Sequence, residues 1–329
     1  MMPRRGRSGL TRRAAQLVVG GVLLIGPQVG GAQAAPPAQP SQSGAQPTPQ
    51  VAPQQASPMQ EGVRLHARLA QRTLTGVTVP IALPSGGRGE LYIPKSGARR
   101  SSIDLLVHFH GAAWLARQAA EETGKLMAVA SFTLGNGSGV YDRTFRQPGM
   151  MDSLMTRIQQ ALDSVSGQRV TVGRLALSGF SAGHGAIRVI LRDSLWMQRV
   201  HGVLLLDGMH TSYVPEGTPV ASGGILDSLN LLTLTQFAAR AAHGAKRMVV
   251  THSEIFPGTY ASTTETAMWM LQYLGLRARP VLAWGPRGMQ QLSEAKRGGL
   301  LVQGFAGTSA PDHIDHLHAM PEMLKRLMR

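Results

Sequence analysis

From residue 102 onward, hydrophobic residues form short, nearly continuous runs. Such runs are typical of strands that are buried on both faces of a sheet. They occupy residues 102–111, 126–134, 174–180, 201–208, 246–253 and 300–305. Two shorter runs, residues 74–83 and 90–93, are bounded by glycine and proline and predict an antiparallel pair at one edge.

Helical patterns separate these runs. Residues 149–165 carry apolar side chains at helical spacing, and Gly167 marks the end. Residues 225–242 predict a second helix, and residues 262–274 predict a third that opens on a capping box. Pro321 begins a C-terminal helix. Strands that alternate with helices predict an α/β fold with a mostly parallel central sheet and helices on both faces.

The first 34 residues have the pattern of a signal peptide. Five arginines precede an apolar stretch at residues 14–25, and Ala32-Gln33-Ala34 forms an A-x-A cleavage site. The apolar stretch is too short for a stable membrane span. We therefore expect an exported protein, periplasmic or extracellular. The pair Arg12-Arg13 leaves the twin-arginine and general export routes both open.

Residues 35–60 consist almost entirely of proline, glutamine, alanine and serine. A segment of this composition cannot bury enough apolar surface to offset the entropy lost on ordering, so we predict a disordered linker. Residues 61–329 have the length of one large α/β domain.

Charge and cysteine content limit the classes of function. The formal charge is +15, and removing the five arginines of the signal peptide leaves +10. This charge favours an anionic surface such as the cell envelope, although scattered arginines also fit a solvated basic surface. No nucleic-acid-binding motif is present, so we expect no nucleic-acid partner. The chain has no cysteine, which excludes disulfides, thiolate metal sites and a cysteine nucleophile.

The most informative motif is Gly179-Phe180-Ser181-Ala182-Gly183, which follows one apolar run and precedes an amphipathic segment. A G-x-S-x-G turn between a strand and a helix is the pattern of a nucleophile elbow. The turn is tight, so the residues two before and two after the serine must be small. We predict that Ser181 is a nucleophile and that the Ala182 N–H stabilises negative charge beside it.

A serine hydroxyl needs a base to accept its proton. Candidate bases lie between the last strand and the last helix, a stretch that we predict to be a loop. His313 is the first choice because it is farthest from the final helix, His316 is the second and His318 is the third. The histidines alternate with aspartates there, but the spacing matches no familiar zinc pattern, and we expect no metal and no cofactor.

The base needs a carboxylate to orient it, and two acids end consecutive strands. Asp207 follows the run at residues 201–206, and Glu254 follows the run at residues 246–253. Asp207 is preferred because it stands at the strand tip, and Glu254 remains the alternative. A second oxyanion donor is expected in the loop His110-Gly111-Ala112, where small residues let the Ala112 N–H approach a substrate.

In these motifs, residues 74–329 resemble the α/β-hydrolase superfamily. The resemblance rests on the elbow, the His110-Gly111 loop and the late histidines before a C-terminal helix. It implies that residues 61–329 form an α/β-hydrolase catalytic domain. The implied function is a serine hydrolase that cleaves an ester or related acyl bond in a small molecule or polymer, through an acyl-enzyme and without a cofactor.

Two other functions fit the same fold. One is an envelope-binding module without catalysis, which would use the basic surface. The other is an acyltransferase in which an alcohol replaces water. The sequence does not distinguish among these, and the oligomeric state is open.

Overall fold

The computed structural model describes residues 65–329, so the predicted signal peptide and linker lie outside it. The strands are β1 (Gly76–Ala82), β2 (Arg88–Pro94), β3 (Ser102–Phe109), β4 (Met127–Phe132), β5 (Thr171–Phe180), β6 (Val200–Leu206), β7 (Tyr213–Val214), β8 (Ile225–Leu226), β9 (Arg247–His252), β10 (Arg279–Trp284), β11 (Gln290–Arg297) and β12 (Leu300–Phe305). The helices are α1 (Ala113–Glu122), α2 (Ser138–Phe145), α3 (Met150–Ser166), α4 (His184–Ile190), α5 (Ser194–Arg199), α6 (Leu229–Ala242), α7 (Thr263–Tyr273), α8 (Ala310–His318) and α9 (Met320–Leu327). None of these helices is long and apolar enough to cross a bilayer.

Ten strands form one sheet, in the order β1-β2-β4-β3-β5-β6-β9-β12-β11-β10. The six central strands, from β4 to β12, run parallel to one another. Antiparallel strands extend the sheet at both edges. The parallel centre places the carboxyl ends of β3, β5, β6, β9 and β12 along one edge, where open α/β sheets bind their ligands. The predicted mostly parallel α/β fold is confirmed.

Helices cover both faces of the sheet, as the alternation of side chains along each strand requires. On β3, Leu105 and Val107 join one apolar cluster, while Leu106 joins the other. The first cluster packs against helices α3, α4, α6 and α7 through Leu154, Ile187, Leu234 and Met270. The second packs against α1, α8 and α9 through Leu115, Leu317 and Met323.

Three local predictions need correction. The helix predicted from residue 225 begins at Leu229, because Ile225 and Leu226 pair with β7 in a separate two-stranded sheet. The apolar pattern also does not predict β10 and β11. Most of β10 is exposed, so it lacks the apolar run by which the central strands were recognised.

The histidine-bearing stretch before the last helix is not a loop but helix α8. Ser309 caps its N-terminus by accepting a hydrogen bond from the Asp312 N–H, and the Asp312 side chain accepts one from the Ser309 N–H. Pro311 lies in the first turn, where a missing N–H costs nothing. His313, His316 and His318 therefore belong to one rigid element, and their rings have different partners, namely Asp207, Thr251 and Leu69.

Buried neutral histidines make the stability of this sheet dependent on pH. Burial lowers the pKa of His108 on β3 to about 4, and burial also lowers that of His252 on β9 to about 4. Unfolded histidine protonates near pH 6.5. The unfolded chain therefore binds more protons between pH 6.5 and 4, and the free energy of unfolding falls as pH drops through that window. The slope is about 1.4 kcal/mol per pH unit for each histidine.

Denaturant titrations at a series of pH values measure this slope. We expect His108→Gln to flatten it, while His243→Gln, at an exposed position, leaves it as in the wild type. Equal slopes in the wild type and His108→Gln would contradict the assignment of His108 as a buried neutral group.

Candidate active site

Ser181 lies on a tight turn between β5 and α4. Its φ is +47°, in the left-handed region that side chains other than glycine rarely adopt. A short 3-10 turn, Ser181–Gly183, then leads into the helix. Gly183 is required there because a Cβ atom would stand 2.1 Å from the carbonyl oxygen of Phe109. The predicted strand, elbow and helix are all present in this order.

Backbone strain is concentrated at this edge of the sheet. His110 after β3, Ser181 after β5 and Asp207 after β6 have φ values of 70°, 47° and 42°. The three strands are neighbours in the sheet. Strained residues of this kind persist where the surrounding structure holds them, and they cluster at functional sites.

Asp207 and His313 form a hydrogen-bonded pair. The His313 Nδ1 atom lies 2.7 Å from Asp207 Oδ2. An ionised carboxylate only accepts hydrogen bonds, so Nδ1 carries the proton and donates it to Asp207. The other ring nitrogen, Nε2, is therefore the atom that can accept a proton from a substrate or nucleophile.

Asp207 is buried, with 1% of its surface exposed. Its Oδ1 atom accepts hydrogen bonds from the Ser253 N–H, at 3.0 Å, and from the Thr263 hydroxyl. Its Oδ2 atom accepts from the Ser253 hydroxyl, at 2.8 Å, as well as from His313. Burial acts to raise the pKa of Asp207, but attraction to His316 and His313 and the donated hydrogen bonds hold it well below its usual range. The carboxylate is thus a fixed negative charge.

Ser181, Asp207 and His313 line one cavity of about 240 Å³, which we call the His313 cavity. The ring centroids of Phe180 and His313 lie 4.5 Å apart, which places the histidine beside the elbow. Between the described residues, no hydrogen bond joins the Ser181 hydroxyl to that ring. Catalytic hydrogen bonds are often long before substrate binds and shorten in the complex.

The alternative candidates for the base and the acid have other surroundings. His316 is buried, and its Nδ1 atom lies 2.8 Å from the Thr251 hydroxyl. His318 accepts a hydrogen bond from the Leu69 N–H at 3.0 Å. Glu254 is exposed, and its own N–H bonds to the carbonyl of Gly307. The structure therefore brings Asp207 and His313 together with Ser181. His316 lies near enough to Asp207 to lower its pKa, but His316, His318 and Glu254 line neither of the two cavities at Ser181.

The two oxyanion candidates differ in their placement. Ala182 lines a second cavity together with Ser181, at the N-terminal end of the turn that leads into α4. Ala112 is exposed at the N-cap of α1 and lines neither cavity. The ring of the neighbouring His110 stacks on Phe180 with centroids 6.0 Å apart, so the loop does pack beside the elbow.

The second cavity has a volume of about 380 Å³, and we call it the Arg188 cavity. Its walls come from α2, the elbow, α4, and the segments around residues 210–212, 230 and 260. They consist of Asn136, Gly137, Ser138, Ser181, Ala182, His184, Arg188, His210, Thr211, Ser212, Asn230 and Tyr260. Ser181 and Ala182 are the site residues predicted from the sequence among them, and most of the others are scattered along the chain.

His184, three residues after Ser181, supports the elbow. Its Nδ1 atom lies 2.9 Å from the Ser181 carbonyl oxygen, to which it donates. Burial lowers the pKa of His184 to about 3, so the ring is neutral. Ser253 and Thr263 have a comparable role for Asp207. Neither residue belongs to a motif that predicts this role, although Ser253 lies beside Glu254 at the end of a predicted strand.

One cluster of the described residues has donor atoms close enough to hold a metal ion. Ligand atoms of His66, Asp312 and Asp315 lie within 4.8 Å of one another. His66 Nδ1 already contacts Asp315, and Arg68 Nε donates to the other carboxylate oxygen at 3.2 Å. A guanidinium beside the carboxylate disfavours a cation there, so the cluster fits an ion-pair network better than a metal site.

No protein-family model matches the chain, and no curated protein matches its sequence. Solved structures do match. An S-formylglutathione hydrolase from Agrobacterium tumefaciens is 15% identical, with a TM-score of 0.46, over 80% of this chain and 99% of that one. A feruloyl esterase module from Clostridium thermocellum is 11% identical, with a TM-score of 0.44, over 76% and 88%. An esterase from Pyrococcus furiosus is 9% identical, with a TM-score of 0.42, over 78% and 94%.

The fold follows from the chain's own architecture. Six parallel strands form the centre of a mixed sheet between two layers of helices. The serine elbow follows β5, an acid follows the next strand, and the histidine paired with that acid follows β12. This chain order of serine, acid and histidine is that of the α/β hydrolases. The chain therefore has the fold of the α/β-hydrolase superfamily.

Proposed function

We propose that the chain is a serine hydrolase that cleaves carboxylic esters, with Ser181, His313 and Asp207 as its catalytic residues. The observation that supports this most directly is the Asp207–His313 hydrogen bond of 2.7 Å, in a cavity that also contains the strained Ser181. A buried carboxylate fixes one tautomer of the histidine, and the serine lies on the same cavity wall. This is the arrangement that activates a hydroxyl.

In the first half of the reaction, Ser181 Oγ attacks the ester carbonyl carbon while its proton passes to His313 Nε2. The carbonyl oxygen becomes an oxyanion, which the Ala182 N–H stabilises, with the Ala112 N–H as the candidate second donor. The intermediate then collapses. The carbon–oxygen bond to the alcohol breaks, the alcohol takes the proton from His313, and the acyl group stays on Ser181.

In the second half, water replaces the alcohol. His313 Nε2 accepts a proton from water as the water oxygen attacks the acyl carbon. The second intermediate releases the carboxylic acid, and Ser181 Oγ regains the proton from the ring. Asp207 stays ionised throughout and stabilises the imidazolium in both halves.

A fluorophosphonate probe tests the nucleophile directly. We expect the wild type to be labelled covalently and Ser181→Ala to remain unlabelled, because the probe reacts only with an activated serine. Ser222→Ala, at an exposed position outside both cavities, serves as the control and should label like the wild type. Equal labelling of wild type and Ser181→Ala, or no labelling of either, would exclude the mechanism.

Product analysis separates hydrolysis from acyl transfer. A hydrolase releases the free acid from an ester in the presence or absence of an added alcohol. If a new ester formed in preference to the acid, the acyltransferase would be the correct function. A protein that binds envelope polymer without labelling would fit the non-catalytic alternative.

A further inference from the structure

The Arg188 cavity has a mixed lining in which polar side chains outnumber aliphatic ones. Among the described residues that line it, the aliphatic side chains are limited to Ala182, and no carboxylate is present. The polar groups include Asn136, Ser138, Ser212 and Arg188. A hydrocarbon chain would leave these groups without hydrogen-bond partners, at a cost in affinity. The cavity is therefore complementary to a polar group.

The cluster of Arg188, Asp142 and Arg146 beside the cavity carries a net positive charge. Arg188 Nη2 lies 2.9 Å from Asp142 Oδ2, and Arg146 Nε lies 2.8 Å from Asp142 Oδ1. Burial acts to raise the pKa of Asp142, but hydrogen bonds from the two arginines lower it overall, so the carboxylate is ionised. Two guanidinium groups thus share one carboxylate. The Arg188 side chain is 12% exposed and lines the cavity, whereas that of Arg146 is 59% exposed.

The position of Arg188 suits a ligand attached to Ser181. The two residues are seven positions apart, which is about 10 Å along a helix axis. Both residues line the Arg188 cavity, so a group attached to Ser181 and the Arg188 side chain share one space. The N-terminal turn of α2, which carries no acidic residue, also borders the cavity at Ser138 and adds the positive end of a helix dipole.

The chemistry of the reaction decides which half of the ester lies there. His313 protonates the leaving alcohol, so that alcohol must lie in the His313 cavity. The acyl half then extends into the Arg188 cavity, which His313 does not line. We propose that the Arg188 cavity binds an acyl group ending in a carboxylate, so that the substrates are monoesters of dicarboxylic acids. This inference rests on the proposed ester hydrolase function.

Three ethyl esters of equal chain length test it. Monoethyl adipate has a terminal carboxylate, ethyl ω-hydroxyhexanoate has a neutral polar end, and ethyl hexanoate has an apolar end. Release of the acid is followed by liquid chromatography. A charge-assisted hydrogen bond corresponds to about 10–100-fold, so we expect kcat/KM for monoethyl adipate to exceed that for ethyl hexanoate by this factor. The ω-hydroxy ester should fall between them.

Variants then assign the preference to Arg188. Arg188→Gln should bring the ratio of the adipate and hexanoate rates to about one, and Arg188→Lys should retain part of it. Arg192→Gln is the matched control, because it removes an exposed arginine that lines neither cavity, and it should keep the wild-type ratio. Thermal melting of each variant verifies folding. If Arg188→Gln fails to fold, the comparison of the three esters with the wild-type protein decides whether the inference holds.

Four results would overturn the inference. The first is that the wild type hydrolyses ethyl hexanoate as fast as monoethyl adipate, and the second is that kcat/KM for the ω-hydroxy ester equals that for monoethyl adipate. The third is that a folded Arg188→Gln variant keeps the preference for monoethyl adipate. The fourth is that Ser181 is labelled but monoethyl adipate is not hydrolysed. In each of them the fluorophosphonate experiment can still succeed. If Ser181 is not labelled and no ester is cleaved, the proposed function itself fails, and the inference fails with it.

Discussion

Replacing Asp207 with asparagine is expected to lower kcat by about 10⁴, with the protein still folded. The reason is the way in which four hydrogen-bond donors are divided between the two oxygens of the Asp207 carboxylate. The Ser253 N–H and the Thr263 hydroxyl bond to Oδ1, while His313 and the Ser253 hydroxyl bond to Oδ2. A backbone N–H cannot become an acceptor, so the amide oxygen of the new asparagine must take the Oδ1 position.

That orientation places the amide NH₂ group opposite His313. Two N–H donors cannot share a hydrogen bond, so the ring moves its proton from Nδ1 to Nε2. The Ser253 hydroxyl can rotate and accept, which lets the rest of the network remain. A histidine with a proton on Nε2 cannot accept one from Ser181. The rate therefore falls because of the tautomer, while the positions of the atoms hardly change.

Steady-state ester hydrolysis and thermal melting measure the two parts of this prediction. Glu254→Gln is the matched control, since it makes the same kind of change at the other strand-end acid, which is exposed. We expect its kcat to stay within about twofold of the wild type, as for a surface substitution. A large loss in Glu254→Gln, or a loss of less than tenfold in Asp207→Asn, would mean that Asp207 is not the acid.

The elbow could be predicted from the sequence because its determinants are local. Gly179 and Gly183 flank Ser181 within five residues, and the apolar run before them identifies the strand. The parallel sheet could be predicted for a related reason. Strands buried on both faces are almost wholly apolar, whereas the edge strand β10 is mostly exposed and carries no such pattern.

The choice between Asp207 and Glu254 depends on contacts that the sequence does not display. Both acids end strands, but Asp207 meets Ser253 and Thr263, which lie 46 and 56 residues away. The sequence also does not show that the histidine segment is a helix. Alternating aspartates and histidines after Pro311 have no apolar period, and the helix is set instead by the cap between Ser309 and Asp312.

The segment at residues 65–74, which we call the N-terminal strap, is expected to stabilise the helix that carries His313. Asp315 lies two residues after His313 on α8, and its side chain is 0% exposed. The His66 ring and the Arg68 guanidinium both contact its carboxylate. A carboxylate buried this deeply needs partners, because removing them leaves a charge in a medium of low dielectric constant.

We therefore expect the double variant His66→Leu, Arg68→Leu to lower the free energy of unfolding by about 3–5 kcal/mol, the usual cost of breaking a buried ion pair. Adding Asp315→Asn to that variant should recover part of the loss, since it removes a buried charge that has lost two of its partners. Arg72→Leu is the matched control on the same strap. Arg72 pairs with Glu122 while 58% exposed, and surface pairs of this kind contribute at most about 1 kcal/mol.

Denaturant titration and kcat should change together in this series. If the strap positions α8, the double variant loses activity as well as stability, because His313 and Asp315 belong to the same helix. Asp315→Asn should then recover part of both the stability and the activity. A double variant that unfolds like Arg72→Leu, or a third substitution that restores neither quantity, would show that the strap only covers the surface of the domain.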